Sequence, residues 1–299
     1  MAFFNRRITV NAAWLAAFSI ASWLLLCTLL PSASYTQSMK LVHEYHINPS
    51  PSILSDRTSR QAFVTMYIGT KWDSVIALAF GLLDVNSSYP LVVAYVTPPD
   101  KASAALLSRL GVRTHSIAEL PIPRNPDISE AWHLSWTKLQ LWGLYEHYDK
   151  LVYLDTDILP LRNIDELMDF PALSVTNGQV SPCETAWGIN AGVFVFAPDR
   201  HVHQIYTTHA FLPEWARNTE QTFLGLFTHP DVPRLHYLSS IYNTAVRSCT
   251  CLTPDQWHDV KMVHFVATAK PWEEKGTETC YAKLAGVWRR RLSYAKQLV

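Results

Sequence analysis

Residues 61–96 read QAFVTMYIGTKWDSVIALAFGLLDVNSSYPLVVAYV, and this stretch decides the fold. AFVTMY (62–67) and LVVAYV (91–96) are short, nearly continuous apolar runs, the pattern of strands buried on both faces. Between them, SVIALAFGLL (74–83) has the length and composition of a buried helix. The alternation continues. ASAALLSRL (102–110) reads as a second helix, VRTHSI (112–117) as a third short strand, and SWTKLQLWGLY (135–145) as a further helix. Strands alternating with helices predict an α/β fold with a doubly wound, mostly parallel central sheet and flanking helices. No G-x-G-x-x-G follows the first strand, so a dinucleotide fingerprint is absent, and no internal repeat is evident.

Further along, LVYLDTDILPL (151–161) reads as a buried strand emptying into a loop with Asp155 and Asp157 one residue apart around Thr156. Alternate residues of an extended chain point the same way, so both carboxylates can face one pocket. Ligands of such sheets bind beyond the carboxyl ends of the strands, where this pair falls. The pair suits a hard divalent cation, Mn²⁺ or Mg²⁺, held between protein and a diphosphate. A bare D-x-D also describes a solvated acidic turn; its place at the end of a buried strand favours the metal.

The 299 residues, 48% hydrophobic and 17% charged, suit an ordinary globular protein, and the zero formal net charge argues against a nucleic-acid partner. The N-terminus differs. No residue from Ile8 to Met39 is charged, and Ile8–Leu30 is long and apolar enough to cross a bilayer as a helix, with Arg6 and Arg7 on its cytosolic flank. The expected organisation is a cytosolic tail (1–7), a signal anchor (8–30), a Pro- and Ser-bearing stem (31–60) and a lumenal domain (61–299), in a single-pass type II Golgi or endoplasmic reticulum membrane protein. Ser32, Ala33 and Ser34 supply the small residues of the competing reading, a cleaved signal peptide. Asn86-Ser87-Ser88 is the single glycosylation sequon. Cys183, Cys249, Cys251 and Cys280 allow up to two disulfides in three connectivities in an oxidising lumen, or stay as buried thiols.

Five segments in order, QAFVTMYIG (61–69), SWTKLQLW (135–142), YDKLVYLDTDILPLRNIDEL (148–167), NAGVFVF (190–196) and HFVATAKPW (264–272), resemble the glycogenin-like enzymes of glycosyltransferase family 8, whose nucleotide-sugar-binding fold is called GT-A. The resemblance covers 61 to about 290. It implies a retaining transferase that moves a hexosyl residue from a UDP-sugar to a glycan or glycoconjugate acceptor with Mn²⁺. It further implies Asp155, Asp157 and His264 as metal ligands and Lys270 as the partner of the diphosphate. Lys138 matches a donor-contacting lysine, and Asn190, Ala191 and Gly192 match the segment beside the sugar. Met66 and Gly69 fall at the first-strand exit where the family binds the nucleoside, with Trp72 as a stacking partner for the base. Trp132, Trp136, Trp142, Trp187, Trp215 and Trp272 either line a sugar groove or fill the core.

The chain also departs from the family. RNTEQTFL (217–224) replaces D-G-G-D-Q: Glu220 and Gln221 match the second acid and the glutamine, while Arg217 stands where the first acid would be. Ala267 replaces a usual glycine, adding a methyl beside the diphosphate. No tyrosine follows Tyr242-Asn243 before Tyr281, so self-glucosylation there is not expected. Glu220 is the one matching carboxylate for a double displacement, and a front-face route needs none. Two other readings fit less well. YLDTDIL matches the phosphatase loop of haloacid dehalogenase-like hydrolases, but the later acidic pair is missing. A catalytically silent, membrane-tethered sugar-binding or assembly subunit on the same fold would be marked by loss of a metal ligand, and all three are present.

Overall fold

The computed structural model describes residues 60–123, 125–178, 188–273 and 279–298. The expected tail, membrane span and stem up to residue 59, together with Cys183 and Trp187, lie outside the described residues. Among the described residues no helix is long and apolar enough to cross a membrane.

The predicted first half is present: β1 (Gln61–Tyr67), α1 (Asp73–Asp84), β2 (Leu91–Tyr95), α2 (Lys101–Arg109) and β3 (Arg113–Ser116). β1 and β2 are buried on both faces because β1 lies between β2 and β4 (Lys150–Leu154) under layers of helix, which is why their apolar runs hardly alternate. Eleven residues of α1, Ser74 to Asp84, are buried, so its whole circumference is covered. The helix expected around 135–145 is instead a short α3 (Glu130–Ser135) running into eleven residues of 3-10 helix, Trp136–Glu146. Its burial explains the tighter winding: Trp136, Leu139 and Trp142 are buried at intervals of three, as are Lys138, Leu141 and Leu144, and intervals of three align at three residues per turn.

The remaining strands and α-helices are β5 (Ile158–Pro160), β6 (Ser174–Asn177), β7 (Ile189–Phe196), α4 (Arg200–His209), α5 (Glu220–Leu226), β8 (His236–Leu238), β9 (Thr244–Ala245), α6 (Pro254–Asp259), β10 (Met262–His264) and α7 (Thr279–Lys296). The large sheet has the order β3-β2-β1-β4-β7-β6-β8, and a small one has β5-β10-β9. β3, β2, β1 and β4 are parallel, and β7 runs against both β4 and β6. That reversal was not visible in the sequence. It brings the start of β7 beside the end of β4, Leu154 opposite Val193, and the Asp155 N–H extends the ladder to the Gly192 carbonyl (2.9 Å).

α7 closes the fold against α1. Arg291 donates to Asp84 (2.8 Å from Nε) and to the Pro160 carbonyl, and both charged side chains are almost fully buried. Cys249 and Cys280 form a disulfide between the turn after β9 and the start of α7, and Cys251 is disulfide-bonded as well. Arg291→Ala leaves the Asp84 carboxylate buried without its fork, and urea unfolding should show a loss of about 3–5 kcal/mol. A loss under about 1 kcal/mol would contradict this account of the α1–α7 seam.

Candidate active site

Three strand ends converge at one point. β4 delivers Asp155 and Asp157. β10 pairs antiparallel with β5, putting His264 opposite Ile158, and parallel with β9, putting it level with Ala245. β7 contributes Asn190, Ala191 and Gly192. One ligand atom from each of Asp155, Asp157 and His264 lies within 4.8 Å of the others. His264 Nε2 is 3.1 Å from Asp157 Oδ1 and 3.8 Å from Asp155 Oδ2.

The imidazole is oriented by a chain of hydrogen bonds whose direction is fixed by a backbone amide. The Gly192 N–H donates to Asn190 Oδ1 (3.0 Å), so that atom is an acceptor and takes a second bond from Asn243 Nδ2 (2.8 Å). Asn243 Nδ2 also donates to Thr176 Oγ1 (2.7 Å). Its oxygen therefore faces His264 Nδ1 at 2.8 Å, so Nδ1 carries a proton and Nε2 is aimed at the carboxylates, able to donate to Asp157 or, with a cation bound, to ligate it. Glycine is required at 192, since a Cβ there would lie 2.5 Å from His264 Cε1. Two carboxylates and an imidazole nitrogen presented together suit a divalent cation such as Mn²⁺.

Cations flank the two acids. Lys270 Nζ sits 2.5 Å from Asp157 Oδ2 and donates to the Phe265 carbonyl (2.8 Å). Burial alone would raise the Asp157 pKa, but His264 and Lys270 outweigh it and hold the carboxyl well below the usual range, ionised and ready for a cation. On the other side, Lys138 is buried, 3.1 Å from both Asp155 Oδ1 and Glu220 Oε1, and donates to the Ala191 carbonyl (3.2 Å). Burial pushes its ammonium towards neutrality. Asp155 and Glu220 reverse that and hold it above its ordinary value. The Tyr153 phenol donates to Asp155 Oδ1 (2.6 Å), its own pKa raised by burial and by that carboxylate. Ser135 donates to Glu220 Oε2, and Gln221 Oε1 accepts the Ala191 N–H (3.1 Å).

Asp155, Asp157, His264, Lys270, Lys138, Asn190, Ala191, Gly192, Glu220 and Gln221 are thus brought together, with half-buried Thr156 between the two acids. Half-buried Met66 lies at the β1 exit, two residues past the Val64–Tyr153 pair and so level with Asp155, and Gly69 follows it. Trp72 does not present an open ring face for a base. It is 2% exposed and packed against Tyr67 (centroids 4.7 Å) and Tyr95, so its ring supports the start of α1. Ala267 is exposed with φ +51°, so glycine's advantage there is conformational as well as spatial. Of the tryptophans, Trp136 and Trp142 are core, Trp215 is half-buried, and Trp132 and Trp272 are exposed. Sequence reasoning missed Asn243 and Ser135. Ser135 lies within the segment SWTKLQLW, whereas Asn243 has only its place after Tyr242 as a signal.

Residues 113–276, more than half of the chain, match Glycosyl transferase family 8. The chain belongs to that family and is a glycosyltransferase. It is 28% identical to galactinol synthase 1 of Ajuga reptans over 257 residues, 74% of this chain and 76% of that one. It is 34% identical to human glycogenin-2 over 150 residues, 48% of this chain and 28% of that one. Its fold is similar to that of the galactosyltransferase LgtC, solved with donor and acceptor sugar analogues, with TM-score 0.55 and 17% identity over 77% of this chain and 99% of that one. The GT-A fold is common to both.

Because Asn243 accepts from His264 Nδ1 and so orients the ring, Asn243→Ala should weaken Mn²⁺ binding about 10–100-fold in calorimetric titration. Affinity equal to the parent's would remove Asn243 from the metal site's support.

Proposed function

We propose that this protein is a retaining hexosyltransferase that takes its sugar from a UDP-sugar with Mn²⁺, Mg²⁺ being the alternative ion, and passes it to a glycan or glycoconjugate acceptor. We place it in the Golgi or endoplasmic reticulum membrane, anchored by residues 8–30 with 61–299 in the lumen; the uncharged span behind Arg6 and Arg7 supports this topology. The observation that carries the reading is the convergence of Asp155 and Asp157 from the end of β4 with His264 from the end of β10 and Lys270 from the loop that follows it. Such a set of charges serves a diphosphate that must depart as an anion.

A divalent ion held by Asp155, Asp157 and His264 would neutralise charge on the leaving diphosphate. Lys270 adds a compact ammonium on the same side. Asn190 and the Gln221 side chain, both half-buried, offer amide groups to the sugar hydroxyls. Glu220 is poorly disposed to attack the anomeric carbon: Oε1 is paired with Lys138 and Oε2 accepts a hydrogen bond from Ser135. This favours the front-face route. The acceptor oxygen bonds to the anomeric carbon on the face the diphosphate leaves, the bond to the diphosphate breaks, and the acceptor proton passes to a departing phosphate oxygen. Glu220 then positions Lys138 and the sugar.

Incubation of the protein with Mn²⁺ and each UDP-sugar in turn, with UDP release measured, should identify one preferred donor. Release from none would contradict the reading. Asp157→Ala should abolish release while the protein stays folded. Lys270→Ala should lower kcat and raise KM for the UDP-sugar, at a cost of about 2–4 kcal/mol of transition-state stabilisation, with Lys270→Arg recovering part. A normal kcat in Lys270→Ala would remove this lysine from the active site.

A further inference from the structure

The contacts across the site have an order. Lys270 touches Asp157, Asp157 and Asp155 share the metal position with His264, Asp155 touches Lys138, Lys138 touches Glu220, and Glu220 touches Ser135. If the proposed function holds, the Lys270 end takes the diphosphate and the Glu220 end takes the sugar, so an acceptor must approach from beyond Glu220. What lies there is α3. Ser135 Oγ is within hydrogen-bond reach of both Glu220 Oε2 and the Trp132 carbonyl (2.7 Å).

Trp132 stands three residues before Ser135, on the same face of the helix, and helical side chains lean towards the N-terminus. Its side chain therefore continues the Ser135 face outward from Glu220. Trp132 is 57% exposed, among the most exposed large apolar residues described, and has no aromatic partner among the described residues. The segment that leads into α3 is tied to the segment that leads into α5, Asn125 Nδ2 donating to the Ala216 carbonyl (3.3 Å). The indole thus rides on an anchored wall of the site's sugar end. An indole face covers the C–H face of a pyranose while leaving its hydroxyls to solvent and to neighbouring polar groups.

We infer that Trp132 is the stacking platform for the acceptor: a pyranose ring of the acceptor lies on its indole, which selects the acceptor and orients its hydroxyl towards the sugar held by Lys138, Glu220 and Gln221. Trp132 contributes to acceptor affinity and to none of the donor's binding.

The test uses the full chain carrying 5-fluorotryptophan, in which Trp132 is assigned as the ¹⁹F resonance missing from Trp132→Phe. With Mn²⁺ and UDP present, methyl glucoside, methyl galactoside and maltotriose are titrated separately. The Trp132 resonance should shift saturably with at least one of them. No shift with any of the three would overturn the inference, as would a shift with phosphatidylcholine vesicles but no sugar, which would assign the ring to a membrane. This readout requires no turnover, so it separates failure of the platform from failure of the proposed transferase. In kinetics with the preferred donor and the sugar that shifts the resonance, Trp132→Ala should raise acceptor KM about tenfold. Trp132→Tyr should recover most of that, and UDP release without acceptor should stay within about twofold of the parent. Loss of acceptor-independent release in Trp132→Ala would also overturn the inference, since it would place the ring in donor handling or in the fold.

Discussion

Two carboxylates on alternate residues, set at the end of a buried strand, repel one another and resist desolvation, and much of the architecture around them answers that constraint. Asp157 is compensated by His264 and Lys270, and Asp155 by Lys138 and the Tyr153 phenol. Lys138, itself buried, is held charged by two carboxylates, Asp155 and Glu220. The cations are spaced so that a divalent ion and a diphosphate can take over part of the compensation. The pair proposed to hold the metal is therefore also the pair around which His264, Lys138 and Glu220 are buried.

Placing those groups is the work of strand direction. β7 runs against β4, so its first residues meet the D-x-D rather than the far end of the sheet. β10 lies between β5 and β9, which brings His264 and Asn243 together although 21 residues separate them. From the Gly192 amide the hydrogen bonds run through Asn190 and Asn243 to the imidazole, each link determining the direction of the next. A site on strand ends linked this way holds its ligand atoms with little freedom, which metal catalysis rewards.

Much of this was legible in the sequence where a residue type had one physical explanation. The apolar runs of β1 and β2 and the buried helix between them gave the α/β sheet, and the acidic pair after β4 marked the strand ends where the candidate site lies. His264, Lys270 and the Asn190–Gly192 segment came from family resemblance, and the structure gathers them around the acids. The misses share a cause: each depends on a non-local partner. The 3-10 winding of 136–146 follows from burial on more than one edge, and the reversal of β7 follows from pairing. Trp72 faces inward because Tyr67 and Tyr95 cover it, which a base-stacking reading of the strand exit could not anticipate. Asn243 acts through His264, which is distant in sequence.

The central claim is that Asp155, Asp157 and His264 hold one divalent ion that draws a nucleoside diphosphate to Lys270. It is tested most directly by anomalous diffraction from crystals grown with Mn²⁺ and UDP. The account predicts one manganese peak bonded to Asp155, Asp157 and His264 Nε2, with the UDP phosphates on the ion and Lys270 Nζ turned from Asp157 to a phosphate oxygen. A peak that leaves out His264, or a diphosphate bound away from Lys270, would contradict it.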